Sequence, residues 1–122
     1  MEKQLKKAMA IGSFAVLFGA SSAMAQPVAA MPNEEGKTFA AEAMKSGDWS
    51  SAEEDLMGNG ESVFAKLNLA SVYAQTGRTD KAVALYQEII NGDENPYAVL
   101  LNGKPRRVKN IAKFALAQLS TN

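Results

Sequence analysis

Leu67-Asn-Leu-Ala-Ser-Val-Tyr-Ala-Gln-Thr-Gly-Arg-Thr-Asp-Lys-Ala-Val-Ala-Leu-Tyr-Gln-Glu-Ile-Ile-Asn91 is the stretch on which the reading of this chain turns. Leu69, Ala70, Tyr73 and Ala74 recur at helical spacing, as do Ala82, Leu85, Tyr86, Ile89 and Ile90. Each set lays one apolar stripe along an α-helix. Gly77 stands between them, where a left-handed residue ends a helix without steric cost. Thr79-Asp80 then offers an N-cap and an acidic first turn to the second helix. The stretch therefore predicts two antiparallel helices joined by a tight turn.

The pattern occurs a second time upstream. A shift of thirty residues (69 − 39) sets Phe39 on Leu69, Ala40 on Ala70, Gly47 on Gly77, Ala52 on Ala82 and Leu56 on Tyr86. An internal repeat of this kind points to a helical array. The copy over 37–57 is degenerate beside the central unit at 61–91. Ala43 stands where the central unit has Tyr73, and the second helix of the copy ends near Met57, before Gly58-Asn59-Gly60. Asp48 is placed to cap that helix, and Trp49 is expected to pack over the helix pair rather than to line a groove.

Small Ala70 and Ala82, with Tyr73, Gly77 and Tyr86 in this order, resemble the tetratricopeptide repeat (TPR) family. The period is shorter than the family's usual 34 or so residues. The resemblance covers 37–91 and implies an all-α fold. In that fold about two antiparallel helix-hairpin repeats are closed by a C-terminal capping helix. It also implies a concave groove along the first helix of each pair, where a peptide docks. Carried onto this chain, the groove positions of the central unit are Phe64, Leu67, Asn68, Ser71 and Gln75. Some family members grip a peptide's terminal carboxylate there with Lys and Asn. Asn68 fits that clamp, whereas Leu67 and Ser71 stand where it carries Lys and Asn.

The N-terminus reads differently. Met1 to Lys7 is basic, Ala8 to Ala20 is mostly apolar, and Ala23-Met24-Ala25 is a small-x-small site followed by Gln26-Pro27. This is the pattern of a secretory signal peptide over 1–25. The alternative is an uncleaved anchor, for which the apolar run is short and interrupted by Gly12, Ser13 and Gly19. In that case alone would the chain touch a membrane. No cysteine follows the run, so lipoprotein attachment is excluded. Residues 26–36, with Pro27 and Pro32, read as a flexible tether.

Beyond Asn91 the helical period stops. The turn cluster Gly92-Asp93-Glu94-Asn95-Pro96 opens an irregular segment over 92–104. Within it Tyr97-Ala98-Val99-Leu100-Leu101 is either a short extended run or a single helical turn. Pro105 suits the first position of a capping helix over 105–120, with Val108, Ile111, Ala112, Ala115 and Leu119 as its apolar stripe. Such a helix could equally be the first of a third pair. Lys104, Arg106, Arg107, Lys109 and Lys113 make this end basic, with no acid after Glu94. Residues 26–61 are the reverse, carrying eight carboxylates, Glu34 to Glu61, against Lys37 and Lys45. Solvation alone accounts for such charges in many proteins. The functional reading is a docking face for an acidic segment, a terminal carboxylate or an anionic surface.

Composition closes other routes. Removing 25 residues from 122 takes Lys3, Lys6, Lys7 and Glu2 with it, leaving 97 residues with ten basic and twelve acidic groups. That balance excludes nucleic acid as the partner of the whole chain, and the length allows one small core. Without Cys or His the chain has no thiol chemistry, no thiolate or imidazole metal ligand and no imidazole base. No phosphate loop or nucleophile elbow is present, and Glu53-Glu54-Asp55 point in different directions on a helix. The sequence therefore reads as a non-catalytic protein without cofactor or metal. It reads as a periplasmic or secreted interaction module that presents a concave groove and a basic C-terminal face to a peptide or envelope protein. The alternative is a structural component of the cell envelope that self-associates as a homodimer. On the signal reading, intact mass spectrometry of the exported protein should find a chain beginning at Gln26. A full-length mass in the soluble fraction would refute cleavage after Ala25.

Overall fold

The computed structural model describes residues 31–32, 38–100 and 102–120. The signal reading and all of the tether except Met31 and Pro32 lie outside these residues. The described chain is mostly helical. In order it runs β1 (Met31–Pro32), α1 (Ala41–Ser46), α2 (Trp49–Met57), α3 (Val63–Gln75), α4 (Thr79–Asn91), β2 (Tyr97–Val99), β3 (Pro105–Arg107) and α5 (Val108–Ser120). The three strands form a small antiparallel sheet in the order β1-β2-β3. The all-α expectation is corrected on this point.

Helix α3 lies between two apolar clusters. Val63, Leu67, Ala70 and Tyr73 join Ala82, Tyr86 and Ile89 of α4, Ala98 of β2, and Val108, Ile111 and Ala112 of α5. Ala65 and Val72 instead join Phe39, Ala40, Ala41, Met44, Ala52 and Leu56 from the first helix pair. Phe64 and Leu69 touch both clusters. Burial on both sides is what an apolar surface spread around a helix requires. The helices thus form a series, with α1 and α2 on one side of α3 and α4 and α5 on the other. Trp49 packs against the smaller cluster, as expected of it.

Both glycines aligned by the shift of thirty adopt the left-handed conformation, Gly47 at φ 78° and Gly77 at φ 83°. Ala52 and Ala82, also aligned, are wholly buried. The correspondence fails at the start of α1. Phe39 and Ala40 have φ of 49° and 65°, so they precede the helix instead of lying within it as Leu69 and Ala70 do. Left-handed placement of a non-glycine residue costs roughly 1–2 kcal/mol. Asn68 offsets part of that cost, since its Nδ2 donates to the buried Phe39 carbonyl at 2.9 Å. The Phe39 ring also lies 5.7 Å from that of Phe64.

The caps follow the sequence with one correction. Asp48 accepts from the Ser51 amide as expected, and Ser62, which the sequence reading did not single out, accepts from the Phe64 and Ala65 amides. Thr79, however, is the first residue of α4. Arg78 holds the cap position without a side-chain cap bond, and Asp80 lies in the first turn.

The segment 92–104 resolves as an extended strand and a hairpin. Tyr97 pairs with Arg107, Ala98 with Arg106 and Val99 with Pro105. Asn102-Gly103 turns the chain, with Gly103 at φ 86° and Asn102 Oδ1 accepting from the Lys104 amide at 2.9 Å. Longer hairpin loops favour glycine at such a left-handed position. Pro105 consequently belongs to a strand and α5 starts at Val108, correcting the expected start. A residue without an N–H is tolerated on an edge strand as readily as in a first helical turn.

Two substitutions test this account. Asn68→Leu removes the donor to a buried carbonyl and should cost about 1–3 kcal/mol. Gly77→Ala meets no atom within 4 Å, so its cost is backbone strain alone, roughly 1–2 kcal/mol. Urea melts read both, and an unshifted midpoint for either removes the role assigned to that residue.

Candidate functional site

The five groove positions do not form an open surface. Leu67 is part of the larger core cluster, and Asn68 and Ser71 are buried polar residues. Asn68 holds the Phe39 carbonyl, and the Ser71 side chain is hydrogen-bonded to the Tyr86 hydroxyl. Burial pushes the Tyr86 phenol well above its usual range, so it stays neutral. Only Phe64 and Gln75 keep partial exposure, and the Phe64 ring packs at a tilt against that of Phe39. The physical cause of the correction is the central place of α3. A single solvent-facing side was assumed for a helix that packs on two.

The basic residues are gathered at the α5 end of the helical series. Lys104 and Arg106 are exposed on the hairpin, and Lys113 is exposed on α5. Lys109 is half-buried near the start of that helix. Arg107 is held differently. Its guanidinium lies 4.2 Å from the centre of the Tyr97 ring across the hairpin, and its Nη1 donates to the Asn95 carbonyl at 2.8 Å. Cations near a helix N-terminus oppose its dipole. Here Asn95 Oδ1 accepts from the Lys109 amide at 3.0 Å and the Pro96 carbonyl from the Val108 amide at 2.9 Å. These bonds satisfy two amide donors of α5 and offset the unfavourable charge placement.

A second charged arrangement ties the two helix pairs together. Arg78 donates from Nη1 and Nη2 to the two carboxylate oxygens of Glu53, at 3.0 and 2.7 Å. Its Nε and Nη2 also donate to the Thr76 hydroxyl, and its guanidinium carbon lies 4.8 Å from the Tyr73 ring centre. The paired geometry fixes orientation as well as distance. The hydrogen bonds from Arg78 hold the Glu53 carboxyl below the usual carboxylate range. An open hollow of about 400 Å³ beside this turn is lined by Gly77, Arg78, Thr79, Asp80 and Lys81. Its principal cation is thus already committed to Glu53. Lys66 likewise donates to Glu88 at 2.7 Å, a bond that raises the lysine above its usual range.

Sequence reasoning missed the Glu53–Arg78 pair, because spacing within a helix carries no sign of a partner on another element. It also passed over two exposed apolar side chains, Phe114 and Met57, each with 59% of its surface accessible. Phe114 lies off the stripe formed by Val108, Ile111 and Ala112, so its outward direction was legible in the spacing. Among the described residues no three His, Cys, Asp or Glu side chains are grouped to hold a metal, and no helix is long and apolar enough to cross a membrane.

Comparison of the chain with models of known protein families, with curated proteins and with solved structures finds no match in any of the three.

The Glu53–Arg78 pair has a defined pH dependence. A carboxylate whose folded pKa is depressed contributes stability at neutral pH and loses it as pH falls through that folded value. Thermal melts of Glu53→Gln should lie below those of the parent chain at neutral pH. The two should converge as pH falls below the ordinary glutamate range and through the depressed folded value. A gap that persists in acid would show that the glutamate acts through packing instead of charge.

Proposed function

We propose that this chain is a non-catalytic, TPR-like interaction module of the bacterial envelope whose basic C-terminal face receives an acidic protein segment. The observation that carries the reading is the placement of Lys104, Arg106, Lys109 and Lys113 on one hairpin and the helix that follows it. No ion pair joins these four to a carboxylate among the described residues. Grouped cations of this kind steer and orient an anionic partner. The aligned glycines and buried alanines support two helix pairs stacked as repeats, with α5 laid against the second pair as a closing helix. The N-terminal signal pattern supports export to the periplasm or beyond.

The burial of Leu67, Asn68 and Ser71 moves the proposed contact away from a first-helix groove and onto the C-terminal face. A self-associating envelope component is the second reading, favoured by the exposed Met57 and Phe114.

Fluorescence anisotropy with a labelled Asp/Glu-rich peptide tests the basic face directly, with a Lys-rich peptide as control. Only the acidic probe should bind, and added salt should weaken it. The triple change Arg106→Glu, Lys109→Glu, Lys113→Glu should reduce affinity by about tenfold or more while the helical circular dichroism is retained. Equal binding by the triple variant would remove this face from the reading.

A further inference from the structure

The two ends of the helical series complement one another in charge and in apolar content. On α2 the buried side is Ala52 and Leu56, which turns Ser50, Glu54 and Met57 outward at helical spacing. On α5 the buried side is Val108, Ile111 and Ala112, which turns Asn110, Lys113, Phe114 and Ala117 outward. Each face thus presents one large exposed apolar side chain, Met57 or Phe114, beside charges of a single sign. Asp55 adds to the acidic face and Lys109 to the basic one. The neighbouring Glu53 and Arg107 already have partners within the chain, so they take no part in this contrast.

From this complementarity we infer that the acidic partner of the basic face is the α2 face of a second copy of the chain, so that copies associate head to tail. The inference rests on the reading of the basic face as a protein-docking surface and names its occupant. Lys113 and Lys109 of one copy meet Glu54 and Asp55 of the next, and Phe114 packs on Met57, a favourable pairing of a ring with a thioether. The two surfaces lie on opposite sides of the α3–α4 pair, so one chain cannot bring them together. An interface between unlike surfaces leaves a free surface at each end, and assembly continues past the dimer unless the rotation closes a ring. Few residues carry the contact and its charges are exposed, so it is a weak, salt-sensitive association.

Charge reversal with complementation tests the inference by sedimentation velocity. The protein is used in the form its expressing cell yields, in a dilution series at low and moderate salt. The parent chain should show a mass that rises with concentration beyond the dimer and falls with salt. Glu54→Lys with Asp55→Lys makes both faces basic, and Lys109→Glu with Lys113→Glu makes both acidic. Each variant alone should associate about tenfold more weakly or worse, and an equimolar mixture of the two should recover the parental behaviour. Association through an apolar N-terminal stretch would be indifferent to these changes. All four positions are solvent-exposed or half-buried, and unchanged circular dichroism verifies the fold. Phe114→Ser supplies a charge-neutral check and should weaken association as well.

A parent chain that stays monomeric at every concentration overturns the inference, as does a variant that associates undiminished or a mixture that fails to recover. If the acidic peptide still binds in that event, the docking-face reading survives and only its occupant is wrong. If neither peptide nor second copy binds, both fail.

Discussion

Helix α3 has to be covered on two sides, and the rest of the structure answers that demand. Leu67, Ala70 and Tyr73 face one cluster and Ala65 and Val72 the other, so no orientation leaves all of them dry with a single partner helix. At about 25 cal/mol per Å² of apolar surface, exposing either side would consume much of the stability of a small domain. The first helix pair covers one side, and α4, α5 and the hairpin cover the other. Close approach of α3 to α4 depends on Ala70 and Ala82, both wholly buried, where larger side chains would hold the helices apart. The polar residues drawn inside by this double burial are satisfied locally, Asn68 by a backbone carbonyl and Ser71 by a phenol.

Asn68 joins the halves of the molecule through backbone, and Arg78 joins them through charge. The first ties the turn before α1 to the middle of α3, and the second ties α2 to the turn between α3 and α4. Both contacts bridge the same seam from different levels. The small apolar cluster around Met44 and Leu56 is therefore fixed in orientation as well as in contact. This matters for the proposed end-to-end association, because the outward face of α2 keeps its direction only while that seam is closed.

How much of this was legible depended on whether a residue's role is local. Gly47 and Gly77 end helices through their own backbone angles, and Asp48 caps its own helix, so spacing alone located them. Leu67, Asn68 and Ser71 were misplaced because their environment is set by residues 29 positions away in the case of the Asn68–Phe39 bond. The stripe of Leu69, Ala70, Tyr73 and Ala74 left out Ala65, Leu67 and Val72, and apolar residues spread that far around α3 are the sign of a helix covered on both flanks. The hairpin was half legible. Asn102-Gly103 marked its turn, but Pro105 fitted both a strand edge and a helix start, and only pairing with Tyr97–Val99 decided between them. Strand β1, two residues long, carries no readable period at all.

Asn95 supplies a last consequence. Its side chain caps α5 from 14 residues upstream, and its carbonyl receives Arg107 from the hairpin between. Helix α5 therefore lacks a local N-cap of the usual kind and gains one only when the hairpin has formed. A marginal 13-residue helix with a deferred cap should not persist early in folding. Hairpin closure, capping and docking onto α4 then belong to one cooperative event. The amides of α5 and of β2 should open together in native-state hydrogen exchange, as a single late-forming unit at the C-terminal side of the α3–α4 pair.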